Sequence, residues 1–254
     1  MKRELLCLVT GLLCGPMTVF AQDSLSSEVR ADVVSHYMWR GTDKAGFSLQ
    51  PQASVSWKGL SLQMYGSAGL NKEDIDELDL SLRYEQSGFS IGVTDYWQTG
   101  IDTKDRYLYY SQHNGAHRFE GSVGYSCRYG SLQAYTMFWG NDFKRSGNRA
   151  YSTYVELSVP FKVGGIDWTA RAGFSPFEGA GYDEVIKDVG FFGDETRIEP
   201  HYFYADGPAC VLASLRASKE LSLSDMRLPI FAELHGNPYL QKATLVFGLS
   251  IILF

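Results

Sequence analysis

Residues 47–57 alternate without a break, apolar or proline at every odd position (Phe47, Leu49, Pro51, Ala53, Val55, Trp57) and Ser or Gln at every even one. After Lys58-Gly59 the alternation resumes over residues 60–70, with Leu60, Leu62, Met64, Gly66, Ala68 and Leu70 set against Ser61, Gln63, Tyr65, Ser67 and Gly69. A period of two sends successive side chains to opposite faces of a strand, and a two-residue link ending in glycine joins two such strands as a hairpin. Strands of soluble proteins run about five or six residues, whereas a tilted strand needs roughly nine to eleven to cross a bilayer. Strand length therefore predicts an all-β fold, a transmembrane antiparallel up-and-down β-barrel.

Both ends of the chain fit that expectation. Lys2 and Arg3, an apolar run to Phe20, and Ala21 have the pattern of a secretory signal, which predicts cleavage after Ala21 and a barrel over residues 22–254. Residues 242–253 alternate again and are followed by Phe254. A terminal aromatic of this kind resembles the signal by which the barrel assembly machinery recognises its clients, although Phe254 falls on the opposite parity from the apolar positions. The same periodicity predicts twelve strands, at 28–40, 47–57, 60–70, 77–85, 89–97, 117–126, 132–139, 151–161, 166–174, 209–217, 228–235 and 242–253. Their connections alternate between mostly tight and mostly long, as periplasmic turns and external loops do in outer-membrane barrels. An even strand count puts both termini in the periplasm. The expected location is the outer membrane of a Gram-negative bacterium.

A mean hydropathy of −0.17 looks soluble, and that is what a barrel hiding alternate residues in a wet lumen should show. Twelve strands enclose more than apolar side chains can fill, since about eight already suffice for a packed interior. The apolar face is therefore expected to meet lipid. Aromatic residues near strand ends on that face, Trp39, Phe47, Trp57, Tyr84, Phe89, Phe161, Trp168 and Phe174, are expected to form two interfacial girdles. Cys127 and Cys210 fall at opposite faces of the membrane in this topology, which excludes a disulfide between them.

The inward face collects charge of both signs. Arg30, Asp32, His36, Arg40, Asp79, Arg83, Glu85, Glu156, Asp167 and Arg171 are the expected lumen-lining residues. Across a water-filled lumen they would orient small polar solutes; paired with one another they would form a plug, and size alone does not choose between the two. The 175–208 connection, the longest, is acidic and is expected to be an external loop. No clustered Cys/His pattern, phosphate loop or basic tract is present, and the net charge is −6, so neither metal, cofactor nor nucleic acid is expected. The partners expected are outer-membrane lipid, the assembly machinery and small polar solutes.

The run Ser35-His36-Tyr37-Met38-Trp39-Arg40-Gly41, then Gly59-Leu60 leading to Tyr65-Gly66-Ser67, then Glu77-Leu78-Asp79-Leu80 and Tyr84, resembles the TorF-like family of outer-membrane porins. The resemblance covers roughly residues 33 to 100 and implies a barrel of pore function, with a passive channel for small polar solutes as the expectation. Alternatives are a closed barrel acting as a structural protein, receptor or adhesin through its loops, or a membrane-embedded lipid hydrolase. The hydrolase would need a His and a Ser in hydrogen-bond reach. His113 and His117 have Ser111, Ser122 and Asn114 nearby in sequence, yet no His-x-Ser pair shares a strand face, so no catalytic residue is expected.

Val55→Arg places a charge on the expected lipid face and should cost on the order of 2 to 4 kcal/mol near the midplane, whereas Ser54→Arg on the lumen face should cost much less. Equilibrium folding into lipid vesicles measures the difference, and equal costs would reverse the assignment of the faces.

Overall fold

The computed structural model describes residues 25–71, 74–99, 106–190, 193–223 and 226–252. The expected signal segment and Phe254 lie outside them. Among the described residues sixteen strands are present: β1 (Ser26–Val34), β2 (Tyr37–Trp39), β3 (Thr42–Ala45), β4 (Ser48–Trp57), β5 (Leu60–Gly69), β6 (Glu77–Gln86), β7 (Phe89–Gln98), β8 (His117–Cys127), β9 (Gly130–Gly140), β10 (Thr153–Val163), β11 (Ile166–Ser175), β12 (Gly181–Gly190), β13 (Gly193–Tyr202), β14 (Ala209–Leu223), β15 (Met226–Asn237) and β16 (Lys242–Ile252). Twelve of them close into an antiparallel barrel in the order β1-β16-β15-β14-β11-β10-β9-β8-β7-β6-β5-β4. The other four form two separate hairpins, β2-β3 and β12-β13.

Closure runs through β1, where Asp32 lies opposite Ser250 of β16 on one side and Gln50 of β4 on the other. One end of the barrel carries tight turns. Lys58-Gly59 and Ser87-Gly88 have positive φ at both residues, 49° and 85° in the first and 53° and 82° in the second. That is the turn whose twist matches two antiparallel strands. The opposite end carries the longer connections, so the turn end and the loop end are as the sequence predicts. Both termini of the described barrel, Ser26 and Ile252, lie at the turn end.

The wall is inside out relative to a soluble protein. Leu49, Val55, Leu62, Leu82, Ile91, Leu157, Leu234 and Phe247 are exposed on the outer surface, while Ser48, Ser90, Glu120, Gln133 and Glu233 are buried on the inner one. Seven of the eight expected girdle aromatics are on the outer wall near strand ends: Phe47 and Phe174 at the loop end, and Trp57, Tyr84, Phe89, Phe161 and Trp168 at the turn end. Phe161 and Trp168 stand opposite each other and stack with ring centroids 6.3 Å apart.

The eighth, Trp39, is a correction. The first wall strand ends at Val34 and does not continue to Arg40. At Ser35 the hydroxyl accepts the Phe247 N–H at 2.9 Å, in place of a backbone carbonyl. Ser hydroxyls compete with the ladder in this way, and beyond Ser35 the chain leaves the wall. Tyr37–Trp39 and Thr42–Ala45 then pair as a short hairpin that folds into the barrel mouth. Its tip, Arg40-Gly41, has φ of 48° and 87°. The apolar alternation continues through residues 37 to 39 because that segment is also a strand, and its period does not reveal that it belongs to a different sheet.

The 175–208 connection also holds more order than the sequence indicates, since β12 and β13 pair along their whole length, from Gly181 opposite Tyr202 to Gly190 opposite Gly193. Cys127 at the turn end of β8 and Cys210 at the loop end of β14 are both free thiols. Thiol titration of the unreduced, denatured protein should therefore find both available, and a Cys127 to Cys210 crosslink in its mass spectrum would overturn the strand order.

Candidate functional site in the lumen

The β2-β3 hairpin bridges the lumen near its loop end. Arg40 at its tip reaches β8, where Nη1 and Nη2 donate to the two carboxylate oxygens of Glu120 at 2.5 and 2.8 Å. This end-on, bidentate geometry is the strong form of an Arg–carboxylate pair. Nη1 also donates to the Tyr204 hydroxyl at 2.6 Å. The guanidinium lies over the rings of Tyr135, Trp39 and Tyr154 at 4.1, 4.6 and 4.9 Å from their centroids. Tyr96 donates a further hydrogen bond to Glu120 at 2.9 Å. The side chains of Arg40 and Glu120 are only 9% and 1% exposed, so this is a fully enclosed ion pair with most of its hydrogen-bonding capacity used.

Three more contacts fix the hairpin to the wall. The Tyr37 hydroxyl donates to Glu77 of β6 at 2.7 Å. On the other side of the barrel the Gly41 N–H donates to His235 Nε2 and Asn237 Nδ2 donates to the Gly41 carbonyl, both at 3.1 Å. A Cβ on Gly41 would stand 1.8 Å from the Val211 carbonyl oxygen, so only glycine permits both the turn and the docking. With Nε2 accepting from Gly41, the proton of a neutral His235 is on Nδ1, facing Glu233 at 3.3 Å.

Residues 203–206, between β13 and β14, complete the plug. Tyr154, Tyr204, Ala205, Val211 and Leu212 form a buried cluster against which Trp39, Tyr135 and Phe203 pack. Trp39 lies 5.9 Å from both Tyr96 and Tyr204 and 5.5 Å from Phe203. It is a core residue of the plug, whereas the sequence pattern predicts a membrane-interface aromatic. Burial, and then the carboxylate of Glu77, push the Tyr37 phenol pKa well up, and burial also raises that of Tyr204. Burial pulls the Lys44 ammonium down to about 8, with the Arg118 charge acting in the same sense.

Below the hairpin is a cavity of about 180 Å³ lined by Asp32, His36, Arg171, Arg216, Glu233 and His235 among others. Arg171 on β11 pairs through Nη2 with Glu233 Oε1 and donates from Nε to Ser214 Oγ at 3.2 Å. Arg216, directly opposite Glu233 on the neighbouring strand, approaches its second oxygen at 4.0 Å and lies over the Phe231 ring at 3.5 Å.

The remaining expected lumen residues divide between the interior and the turn-end rim. Arg30 is on the inner wall of β1 and donates to Gln52 at 3.0 Å. Asp79 is buried on β6 beside Glu77. Glu156 accepts from Tyr154 at 2.6 Å. Arg83 and Glu85 pair with each other at 3.5 Å near the turn end. Asp167 is not a lining residue: 63% exposed, it pairs with Lys162 across the β10-β11 turn at 3.0 Å. Its parity is right, but it is the second residue of β11, opposite Lys162 of β10 and Ser218 of β14 at the turn end of the wall. Among the plug residues absent from the sequence-based set are Tyr96, Tyr135, Tyr154 and Tyr204. The first three have inward parity, a signal that was available. Tyr204 is off the wall and had none.

A second polar group lies on the outer wall. His117 Nδ1 is 2.8 and 3.0 Å from the two oxygens of Asp95, and Nε2 donates to the Tyr107 carbonyl, while the ring stacks on Tyr110 at 4.0 Å. Both ring nitrogens are thus engaged without a serine. His113 stacks on Phe143. Among the described residues no group of three or more His, Cys, Asp or Glu is placed to hold a metal.

No family model and no curated protein matches the chain. Among solved structures the chain is similar to OmpF of Salmonella typhi, in a complex with daunomycin, at 10% identity and a TM-score of 0.37 over 93% of this chain and 100% of that one.

Arg40→Ala leaves the Glu120 carboxylate enclosed without its cation and should destabilise the folded barrel by about 3 to 5 kcal/mol. The Arg40→Ala/Glu120→Ala double variant should recover a large part of that loss. Urea unfolding of the four members of the double-mutant cycle in micelles measures the coupling, and simple additivity would show that the two groups do not interact.

Proposed function

We propose that this chain is an outer-membrane channel of the porin-like class, passing small polar solutes through a lumen that its own first loop narrows. The observation that carries the reading is how the lumen is closed. A loop-borne hairpin bridges it above a charged cavity and is held by side-chain contacts, while the twelve wall strands pair with one another without it. A solid eight-stranded core would leave no room for such a hairpin.

The outer surface supports the membrane assignment. Leu, Val, Ile and Phe side chains are exposed around the wall, and soluble monomers rarely expose apolar patches beyond a few hundred Å². Lipid covers such a belt without penalty. An export signal over residues 1–21, periplasmic termini, delivery by the barrel assembly machinery and the TorF-like resemblance of residues 33 to 100 complete the reading. In it the protein is a passive conduit and not an enzyme.

Single-channel recording in a planar bilayer tests it with three proteins: wild type, Arg40→Ala and Gly41→Ala. Wild type should give small or infrequent steps, and both variants larger or more frequent ones because each unseats the hairpin. Three identical conductances would remove the hairpin as the restriction. Silence from all three correctly folded barrels would overturn the channel and favour the closed barrel acting through its loops, the reading to which the burial of Arg40 and Glu120 lends weight.

A further inference from the structure

The cavity beneath the hairpin carries more specific information than a generic polar pore. We infer that it is a binding site for a small solute of zero net charge that bears a carboxylate and an ammonium a few ångströms apart, the chemistry of a simple amino acid. The inference deepens the channel reading and rests on it for its physiological sense, although binding is measurable by itself.

Three features of the lining support it. First, two guanidiniums share one protein carboxylate. Arg171 pairs with Glu233, and Arg216 reaches it only at 4.0 Å, too long for a hydrogen bond. A guanidinium has five N–H donors in a planar fork suited to a carboxylate, so donor capacity is left facing the cavity. Second, polar atoms contributed by the β1 side are unsatisfied. Asp32 Oδ1 and His36 Nδ1 are buried with no hydrogen-bond partner, and both residues line the cavity. Native proteins seldom leave such atoms unpaired. Third, the formal charges of the lining cancel, Arg171 and Arg216 against Asp32 and Glu233. Arg30, next along the inner face of β1, is matched by Glu28 at 3.9 Å.

This balance selects among solutes. A free anion or cation entering the site would add a net charge to a partly desolvated volume, where charge is costly. A zwitterion adds none. Its carboxylate would engage Arg171 and Arg216, and its ammonium would supply the donor that Asp32 Oδ1 lacks. A volume of about 180 Å³ suits a solute with a short side chain. The site also adjoins the plug, because Glu233 contacts His235, which accepts the Gly41 N–H.

Calorimetric titration of the refolded protein in detergent micelles, with L-alanine, propionate and ethylamine as probes, decides the matter. Alanine should bind saturably, with propionate and ethylamine at least tenfold weaker. Asp32→Asn, nearly isosteric, should abolish the advantage of alanine over propionate, and Arg216→Gln should weaken both. Propionate binding as tightly as alanine with no effect of Asp32→Asn would overturn the inference, as would no saturable alanine binding to a barrel shown to be folded by its heat-dependent gel mobility. Conductance separates the two readings. A conducting barrel that does not bind alanine loses the site and keeps the channel, whereas a non-conducting barrel that binds it loses the channel and keeps the site.

Discussion

Every wall strand of this barrel has a partner on both sides, and β1 makes the last connection by pairing with β4 and β16 at once. In hydrocarbon an unpaired backbone N–H or C=O has no water to turn to, so closure is the condition for an apolar exterior. The remaining architecture follows from it. Once Leu, Val, Ile and Phe occupy the outer positions, a period of two delivers the polar and charged side chains to the inside. There they are partly desolvated and must find counter-charges or water.

The interior meets that demand in two ways. In the cavity, Arg171, Arg216 and Glu233 come from three adjacent strands, two guanidiniums beside one carboxylate, and Asp32 on β1 supplies the second negative charge of the lining. Nearer the mouth, Glu120 on β8 is matched by an arginine that no neighbouring strand supplies. Arg40 arrives on a hairpin from the first loop, enclosed by three aromatic rings and the Tyr204 hydroxyl, while the Tyr96 hydroxyl donates to Glu120. Burying such a pair costs desolvation that its Coulomb energy only partly returns. Its structural effect is positional, since the bidentate geometry and the glycine behind it admit one seating of the hairpin. Glu77 on β6, which accepts from Tyr37, and His235 on β15 hold the same hairpin to different sides of the ring, so the plug also ties the wall together.

Much of this was legible beforehand, for a physical reason that is also where legibility ended. Twelve strands, two kinds of connection, an apolar exterior and seven girdle aromatics follow from alternation and turn residues, both local properties. Trp39 and Arg40 broke the reading because Tyr37–Trp39 alternates as a wall strand would. The point where the chain leaves the wall is marked by a serine hydroxyl accepting a backbone N–H from Phe247, a residue more than two hundred positions away. Asp167 has inward parity, but at the turn end of β11 its side chain stays exposed and pairs with Lys162. Tyr204 belongs to no wall strand, so parity says nothing of it.

By itself the sequence determined which side chains face in and which face out, because side-chain period and strand length are intrinsic to the backbone. It also determined that charges of both signs would gather inside. Only the tertiary structure decided which of those charges meet. Whether Arg40 lines an open lumen or locks onto Glu120 depends on closing a ring that brings β8 opposite the first loop, and no local pattern encodes that distance. The same closure places Asp32 at the cavity that Arg171 and Arg216 line, turning dispersed inward residues into a site.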